Sequence, residues 1–266
     1  MYNISLNIGV LKQTIGISSC NKVVVNVLKS KILTIPSVQI IKYVENPTYN
    51  IKITNNCIVF ITPEKKYRWN GKLSCSDCFV FINAISYYIF FLHGYVGIHA
   101  NAVLLKNRTA ALIVGDFGAG KTTLCQLFKE RGFLVCSGDQ AVIQNKNSKL
   151  YIIAGSIVNK KDAHTDILDY NDCNVERVVS KIILLNGMCD FGNLTKNEII
   201  NSEIIPKRLS DYLFWPFYTP LISLTEGSLI KLYPKNMIPY RILFSSIQKI
   251  DSYRGDKQWI FEDILK

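Results

Sequence analysis

The stretch that decides the fold is Ala111-Leu-Ile-Val-Gly-Asp-Phe-Gly-Ala-Gly-Lys-Thr-Thr123, in which residues 115–122 match the pattern G-x-x-x-x-G-K-[ST] in full. The apolar residues before the motif are typical of a buried strand. The apolar residues Leu124, Leu127 and Phe128 after it have the spacing of one helix face. A strand, a glycine-rich loop and a helix in this order predict an α/β unit built around the loop.

The loop has the chemistry of an anion-binding site. Glycines let the backbone turn its N–H groups towards phosphate oxygens, and the N-terminus of the following helix adds a field that favours anions. In this motif Lys121 reaches the β- and γ-phosphates, and the hydroxyl of Thr122 ligates Mg²⁺. A chance match is expected about once in a hundred sequences of this composition, so the motif predicts nucleoside triphosphate binding. The predicted nucleotide-binding residues are Gly115, Asp116, Phe117, Gly118, Ala119, Gly120, Lys121, Thr122 and Thr123.

The segments around the loop complete a mixed α/β (α+β) fold. Two strands are predicted before it, Gly97–Leu105 and Ala110–Val114, with a hairpin turn between them. A helix is predicted over Lys121–Arg131 with Gly132 as its C-cap, followed by a strand at Phe133–Cys136. Further strands are predicted at Gln140–Gln144, Lys149–Ile153 and Lys181–Leu185 and near Ile222 and Leu229, and a terminal helix at Trp259–Leu265.

The N-terminal part has a different pattern. Residues 1–75 are rich in Val, Ile, Thr and Tyr between Asn-, Pro- and Gly-containing breaks, which is typical of strands. An apolar helix is expected over residues 76–93. The sequence therefore predicts a β-rich N-terminal part at 1–75 and a domain at 76–266 that carries the loop. The strands predicted in the N-terminal part are Lys22–Leu28, Ser37–Val44, Tyr49–Ile53 and Ile58–Thr62.

Composition excludes several classes of protein. The chain has 266 residues, of which 48% are hydrophobic and 19% charged, so it is neither disordered nor of low complexity. The formal charge of +11 predicts a surface that attracts an anion such as a nucleotide, an acidic peptide, a nucleic acid or an anionic lipid. The apolar run Phe79–Phe91 is shorter than the roughly 20 residues of a membrane span, and residues 1–10 lack a signal-peptide pattern. We therefore expect a cytoplasmic protein without a membrane partner.

The eight cysteines are sparse over a long chain, which favours reduced thiols over a disulfide framework. Cys75 and Cys78 form a single CxxC. A zinc site needs a second pair of ligands at suitable spacing, and the sequence has none. We therefore interpret these two residues as ordinary thiols.

Other nucleotide-binding classes fit the sequence less well. No LSGGQ-like signature of ATP transporter subunits is present, and nucleoside monophosphate kinases carry the loop near the N-terminus. Asn159-Lys-Lys-Asp162 matches the N-K-x-D pattern of GTPases, but it lies too close to Lys121 and no D-x-x-G lies between them. A solvated, charged turn is the better interpretation of that segment.

The run from Gly97-Ile-His-Ala-Asn101 through the loop to Phe133-Leu-Val-Cys-Ser-Gly-Asp-Gln140 resembles the C-terminal catalytic domain of HPr kinase/phosphorylase and its shorter relatives. The shared pattern is a strand with a histidine, a second strand, the glycine loop, a helix that ends in Arg-Gly, and a strand that ends in an acidic motif. The resemblance covers roughly residues 90–145. It implies a core shared with phosphoenolpyruvate carboxykinase, and a kinase that uses ATP and Mg²⁺ to phosphorylate a serine in a protein or peptide. Short relatives are peptide-tailoring kinases.

The resemblance also implies roles for single residues. His99 matches the family histidine near the phosphates, which takes or relays a proton. Asp139 matches the second of two adjacent family aspartates, the one that faces the metal, and Gly138 stands where the first is found. The implied catalytic residues are His99, Lys121 and Asp139, and the implied metal ligands are Thr122 and Asp139. The general base is either His99 or Asp139.

The acceptor stays open at this stage. A serine in an acidic protein or peptide, a free small hydroxyl compound, and a role as a nucleotide sensor or nucleic-acid-binding NTPase are the three alternatives. Nucleic acid is disfavoured because the sequence has no aromatic–basic recognition motif and no helix-turn-helix. A homo-oligomer is compatible with the sequence. Further cations for the phosphates are sought, without motif support, at Lys160, Lys161 and Arg177.

Overall fold

The chain folds as a mixed α/β protein with two large sheets and six α-helices among the residues that the structure, a computed structural model, describes. Those residues are 1–71, 74–161, 164–186, 194–201, 203–214 and 243–265. They divide into two compact units, residues 1–94 and a second unit made of residues 95–214 with the C-terminal segment. The strands predicted near Ile222 and Leu229, and Cys189, lie outside the described residues.

The first unit is a six-stranded sheet with two helices. Its strands are β1 (Tyr2–Ile8), β2 (Gln13–Ser19), β3 (Val38–Ile41), β4 (Tyr49–Ile53), β5 (Cys57–Ile61) and β6 (Lys66–Asn70), and its helices are α1 (Lys22–Lys31) and α2 (Cys75–Leu92). The strand order is β3-β1-β2-β4-β5-β6, and every neighbouring pair is antiparallel except β2 and β4. The two helices pack against each other.

The strand predicted at Lys22–Leu28 is wrong, because this segment is the first helix. The Oδ1 of Asn21 accepts a hydrogen bond from the backbone N–H of Val23 at 2.9 Å, which caps the start of α1. Val24, Val25 and Leu28 are buried on one face of the helix. The β-branched composition suggested a strand, but the cap and the helical spacing of the apolar residues decide the structure. The predictions at 49–53 and 58–62 are confirmed by β4 and β5, whereas β1, β2 and β6 were missed.

The long apolar helix begins at a capping box. The backbone N–H of Ser74 donates to Asp77 at 2.8 Å and the N–H of Asp77 donates to the Ser74 hydroxyl at 3.1 Å. By length and composition α2 is apolar enough to cross a membrane, and 56% of it is buried within the structure, a packing also found in core helices. Burial raises the pKa of the Cys78 thiol to about 11, so this CxxC thiol is held protonated.

The first unit extends to Gly94, beyond the boundary at residue 75 that the sequence predicted. Helix α2 belongs to it because its aromatic side chains pack on the sheet of this unit. The ring of Phe81 lies 5.5 Å from that of Trp69, and the hydroxyls of Tyr88 and Tyr67 are 3.2 Å apart. The glycine loop, which lies beyond residue 94, is in the second unit.

The second unit is built on a ten-stranded sheet. Its strands are β7 (Val96–Ile98), β8 (Ala100–Leu104), β9 (Ala110–Gly115), β10 (Val135–Ser137), β11 (Ala141–Lys146), β12 (Lys149–Gly155), β15 (Arg177–Leu185), β16 (Thr195–Ile199), β17 (Leu213–Phe214) and β18 (Ile250–Arg254). A separate pair is formed by β13 (Val158–Lys161) and β14 (His164–Ile167). The helices are α3 (Lys121–Glu130), α4 (Tyr170–Cys173), α5 (Ile204–Ser210) and α6 (Lys257–Leu265).

The sheet order is β10-β8-β9-β15-β12-β11-β7-β17, and β18 pairs with both β15 and β16. Strands β9, β15 and β18 are parallel, with Gly115 opposite Leu185 and Leu185 opposite Tyr253. Their carboxyl ends therefore meet at one edge. Strand β8 is antiparallel to β9, with Ala100 opposite Val114, so the start of β8 reaches the same edge.

Two helices pack together in the main apolar core of this unit. The ring of Phe128 in α3 lies 4.9 Å from that of Phe261 in α6, edge to face, and both side chains are buried. This contact packs α6 against the second half of α3. The sequence predictions of the β8–β9 hairpin, of α3 and of α6 are confirmed.

The segment interpreted as a solvated turn is a strand. Residues 158–161 form β13, which pairs with β14, and Asn159 is 2% exposed. The predicted strand Gly97–Leu105 is divided into β7 and β8 at His99. That break leaves His99 outside both strands.

Candidate functional site

The glycine loop, residues 115–122, connects β9 to α3 without an intervening element. Gly120 caps α3 with a φ of 86°, a left-handed conformation that glycine adopts at low cost. Ala119 is buried, whereas Asp116, Phe117 and Gly118 are exposed. The tip of the loop, residues 116–118, is therefore exposed at the edge of the sheet where β9 ends.

Lys121 is the first residue of α3 and is 6% exposed. Its Nζ donates to the carbonyl oxygens of Gly115 at 2.8 Å and Asp116 at 3.1 Å. Burial lowers the pKa of Lys121, and the negative charges of Asp139 and Asp116 oppose that shift. The loop thus holds a buried ammonium group on its own carbonyls, at the lysine that the motif assigns to phosphate binding.

Thr122 and Thr123 occupy the first turn of α3 next to this lysine. Thr122 is partly exposed and Thr123 is exposed. Phe117, at the tip of the loop, is 95% exposed. The predicted nucleotide-binding residues, 115–123, therefore run from the end of β9 through the loop into the first turn of α3, where Thr122 lies.

His99 and Asp139 form a hydrogen-bonded pair at the same edge. His99 precedes β8, and Asp139 follows β10, the neighbour of β8 on the side away from β9. The Nε2 of His99 is 3.1 Å from Oδ1 of Asp139, and the side chains are 28% and 45% exposed. Because an ionised carboxylate only accepts, the imidazole N–H donates to it. Asp139 also acts on the pKa of Lys121, so the three predicted catalytic residues lie within one electrostatic environment.

The turn that carries Asp139 is fixed by buried hydrogen bonds. The side-chain N–H of Asn101, which is fully buried, donates to the carbonyl oxygen of Gly138. The hydroxyl of Ser137 donates to the carbonyl oxygen of Gln140 at 2.8 Å. Asn101 lies in β8, two residues after His99, so β8 positions both members of the pair.

Gly138 is required by close packing. A Cβ at this position would overlap the carbonyl oxygen of Val158 and lie 2.8 Å from the backbone nitrogen of Asn159. The backbone of β13 therefore occupies the space that a side chain would need. The site has a single carboxylate in its acidic motif because β13 leaves no room for a second one at residue 138.

The donor set suits a magnesium ion held together with phosphates. Within the described residues no group of three or more His, Cys, Asp or Glu is placed to hold a metal. The hydroxyl of Thr122 and the carboxylate of Asp139 are hard oxygen donors of the kind Mg²⁺ takes when substrate phosphates and water complete its coordination. The residues present fit a nucleotide-bound ion rather than a metal site built from protein ligands alone.

Two residues near the loop were missed by sequence reasoning. The hydroxyl of Tyr212 hydrogen-bonds with Asp116, and the backbone N–H of His99 donates to the Tyr212 carbonyl at 2.7 Å. Lys257 lies against Gly120 and is 6% exposed. Neither belongs to a motif, and only tertiary packing brings them to the loop.

Of the cations sought from the sequence, Arg177 is the one whose side chain the structure describes, and it lies away from the glycine loop. Arg177 begins β15, at the opposite end from Leu185, and it hydrogen-bonds with the thiol of Cys136. Lys160 and Lys161 lie in β13, and their side chains are outside the described residues.

Comparisons with known proteins give distant similarities to solved structures. No protein-family model matches the chain, and a search of curated proteins finds no match. A solved structure of the HPr(Ser) kinase/phosphatase from Coxiella burnetii is similar over 40% of this chain and 77% of that chain, with 20% sequence identity and a TM-score of 0.30. The similarity is distant and is limited to part of the fold.

Proposed function

We propose that this protein is an ATP-dependent phosphotransferase with a P-loop core of the HPr kinase type, which phosphorylates a serine hydroxyl in a protein or peptide. The observation that carries the proposal is the meeting of Lys121, in its glycine loop, with the hydrogen-bonded His99–Asp139 pair at one edge of the sheet. A phosphate-binding loop next to an acid–base pair is the minimum that phosphoryl transfer requires.

Binding is assigned to the loop and to the start of α3. The backbone N–H groups of residues 116–122 and the Nζ of Lys121 hold the β- and γ-phosphates, and the N-terminus of α3 adds its field. Thr122 and Asp139 would hold Mg²⁺, which would supply charge neutralisation at the phosphates. The transition state of phosphoryl transfer is loose, so position and charge account for most of the catalysis.

The acid–base step is assigned to the pair as a unit. The acceptor oxygen forms a bond to the γ-phosphorus while the bond from that phosphorus to the bridging oxygen breaks, and ADP leaves. The proton of the acceptor hydroxyl passes to the His99–Asp139 pair and then to solvent. Because Gly138 excludes a second carboxylate, one carboxylate and one imidazole share the role that two carboxylates would otherwise divide.

The net charge of +11 supports an acidic protein or peptide as the acceptor. An excess of basic residues raises the local concentration of an acidic chain and speeds its association. One or two lysines at the phosphates account for a small part of that charge.

The experiment is phosphate transfer with purified full-length protein. ATP labelled at the γ-phosphate is offered with a library of acidic serine peptides, with the same library carrying alanine for serine, and with free L-serine. We expect label on the serine library only. Transfer should be lost in Lys121→Ala and kept in Lys149→Ala, which removes a lysine from an exposed position. Label on free serine alone would replace the peptide acceptor by a small hydroxyl compound, and absence of ATP binding would overturn the proposal.

A further inference from the structure

Lys257 lies against the glycine loop although it is far from the motif in sequence. It is the first residue of α6 and is 6% exposed, like Lys121. A Cβ at Gly120 would overlap Cε of Lys257 and would lie 3.4 Å from its Nζ. The ammonium group is therefore next to the last glycine of the loop.

The contacts of Lys257 leave its charge without a counter-ion. Its Nζ donates to the carbonyl oxygen of Gly255 at 3.0 Å, and among the ion pairs of the residues that the structure describes none includes Lys257. A buried cation without an opposite charge is costly, and a second buried cation, Lys121, beside the same loop adds repulsion between like charges.

The position of Lys257 in its helix adds to that cost. The carboxylate of Asp256 accepts a hydrogen bond from the backbone N–H of Trp259 at 3.0 Å, which caps α6, so Lys257 is its first helical residue. The positive end of the helix dipole disfavours a cation there. Lys121 has the same unfavourable position in α3. A polyanion bound between the two helix N-termini would offset the unfavourable positive charges of Lys257 and Lys121.

We propose that Lys257 is a second phosphate-binding cation of this site and that a polyphosphate chain bound in the glycine loop lies between Lys121 and Lys257. The inference rests on the proposed function in taking the ligand to be a nucleoside triphosphate. The packing of Phe128 on Phe261 holds α6 against α3, and the contact of Lys257 with Gly120 places the start of α6 at the loop. The C-terminal segment of the chain then takes part in selecting a triphosphate over a monophosphate.

The test is binding of ATP, AMP and inorganic tripolyphosphate to the full chain by titration calorimetry. In Lys257→Met, which keeps the alkyl chain on Gly120 and removes the charge, we expect ATP and tripolyphosphate to bind about tenfold or more weakly and AMP to bind within twofold of wild type. Lys257→Arg should retain most of the affinity. Lys149→Met, which removes the same charge from an exposed position, should leave all three affinities unchanged.

The inference would be overturned if Lys257→Met bound ATP and tripolyphosphate as tightly as wild type does. It would also be overturned if the variant lost as much affinity for AMP as for ATP, because such a loss indicates a structural role for Lys257. Thermal unfolding of each variant separates loss of binding from loss of fold, and Lys257→Gln, which also removes the charge, serves if the methionine variant does not fold. If wild type binds tripolyphosphate through Lys257 but does not bind ATP, the inference stands and the proposed function falls.

Discussion

The imidazole Nε2 of His99 lies 3.1 Å from a carboxylate oxygen of Asp139, although the two residues belong to different segments of the sheet. Strands β8 and β10 are neighbours and antiparallel, so the start of one meets the end of the other. Both side chains are partly exposed at the edge where β9 enters the glycine loop. The pair is therefore partly open to solvent at the edge of the sheet that carries the glycine loop.

Breaking this pair is expected to reduce turnover while leaving nucleotide binding in place. Asp139→Asn and His99→Gln should each lower kcat by about 10²–10⁴, with the Kd for ATP measured without Mg²⁺ changed little. The double variant should be hardly slower than the worse single variant, because the residues act as a unit. His93→Gln, in the first unit, is the control. Additive losses in the double variant would contradict a shared role.

Restoring a carboxylate at residue 138 is expected to damage the fold rather than improve catalysis. The Val158 carbonyl occupies the place of a Cβ at Gly138, and backbone cannot move as a side chain can. Gly138→Ala should lower the free energy of unfolding by about 3 kcal/mol or more, and Gly138→Asp should lower it further.

The matched control for that prediction is Gly132→Ala. Gly132 has a φ of 81°, but within the described part of the chain no atom beyond the adjacent residues lies within 4 Å of the position that a Cβ would take there. This change therefore costs backbone strain alone, about 1 kcal/mol. Chemical denaturation of the three variants measures the difference. A Gly138→Ala protein as stable as Gly132→Ala would show that β13 yields at this contact.

The motif-bearing part of the site was predictable because its information is local. Residues 110–130 contain the strand, the loop and the helix in sequence order, and the structure places each of them as expected. The closeness of His99 and Asp139 was available only through a family resemblance. No sequence motif indicated Tyr212 or Lys257, because these residues reach the loop only through sheet pairing and through the contact between α3 and α6.

The errors in the fold have a common physical origin. Residues 22–28 contain several valines, which favour strands, yet Asn21 caps a helix there and its apolar face is buried. Residues 158–161 include two lysines, yet they form a strand whose Asn159 is buried. The sequence predicted helix α2, but its aromatic contacts with β6 place it in the first unit. Tertiary packing overrides local composition in each case.

The hydroxyl of Tyr212 is expected to stabilise the protein in a pH-dependent way. Burial, with a contribution from the charge of Asp116, raises the pKa of Tyr212 to about 12 from its usual value of 10.0. A raised pKa means that the stabilisation is complete below pH 10 and is lost as the pH rises towards 12. Tyr212→Phe should therefore be less stable than wild type by about 1 kcal/mol at pH 8, and the difference should shrink above pH 10. Urea denaturation at both pH values measures it, and a constant difference would contradict the assignment.

The charge of the chain is expected to show in the recognition of the acceptor. For an acidic serine peptide, KM should rise several-fold between 50 and 300 mM NaCl because salt screens exposed charges over roughly a Debye length. A neutral peptide of the same length serves as the control and should show little change. If salt changed the KM of both peptides equally, the net charge would contribute to solubility and not to recognition of the acceptor. Salt-sensitive retardation of DNA or RNA in a gel would favour the nucleic-acid alternative.

Removing the loop lysine is expected to abolish binding and to make the ligand-free protein more stable. Burial lowers the pKa of Lys121 below its usual 10.5, so its charged form is less favourable in the folded than in the unfolded chain. This destabilisation is complete below the folded pKa and disappears as the pH rises towards 10.5. Lys121→Met should therefore raise the free energy of unfolding by about 1 kcal/mol at pH 7, with a smaller gain near pH 10. Lys149→Met is the control for net charge. A less stable Lys121→Met protein at pH 7 would mean that the hydrogen bonds to Gly115 and Asp116 outweigh the cost of burying the charge.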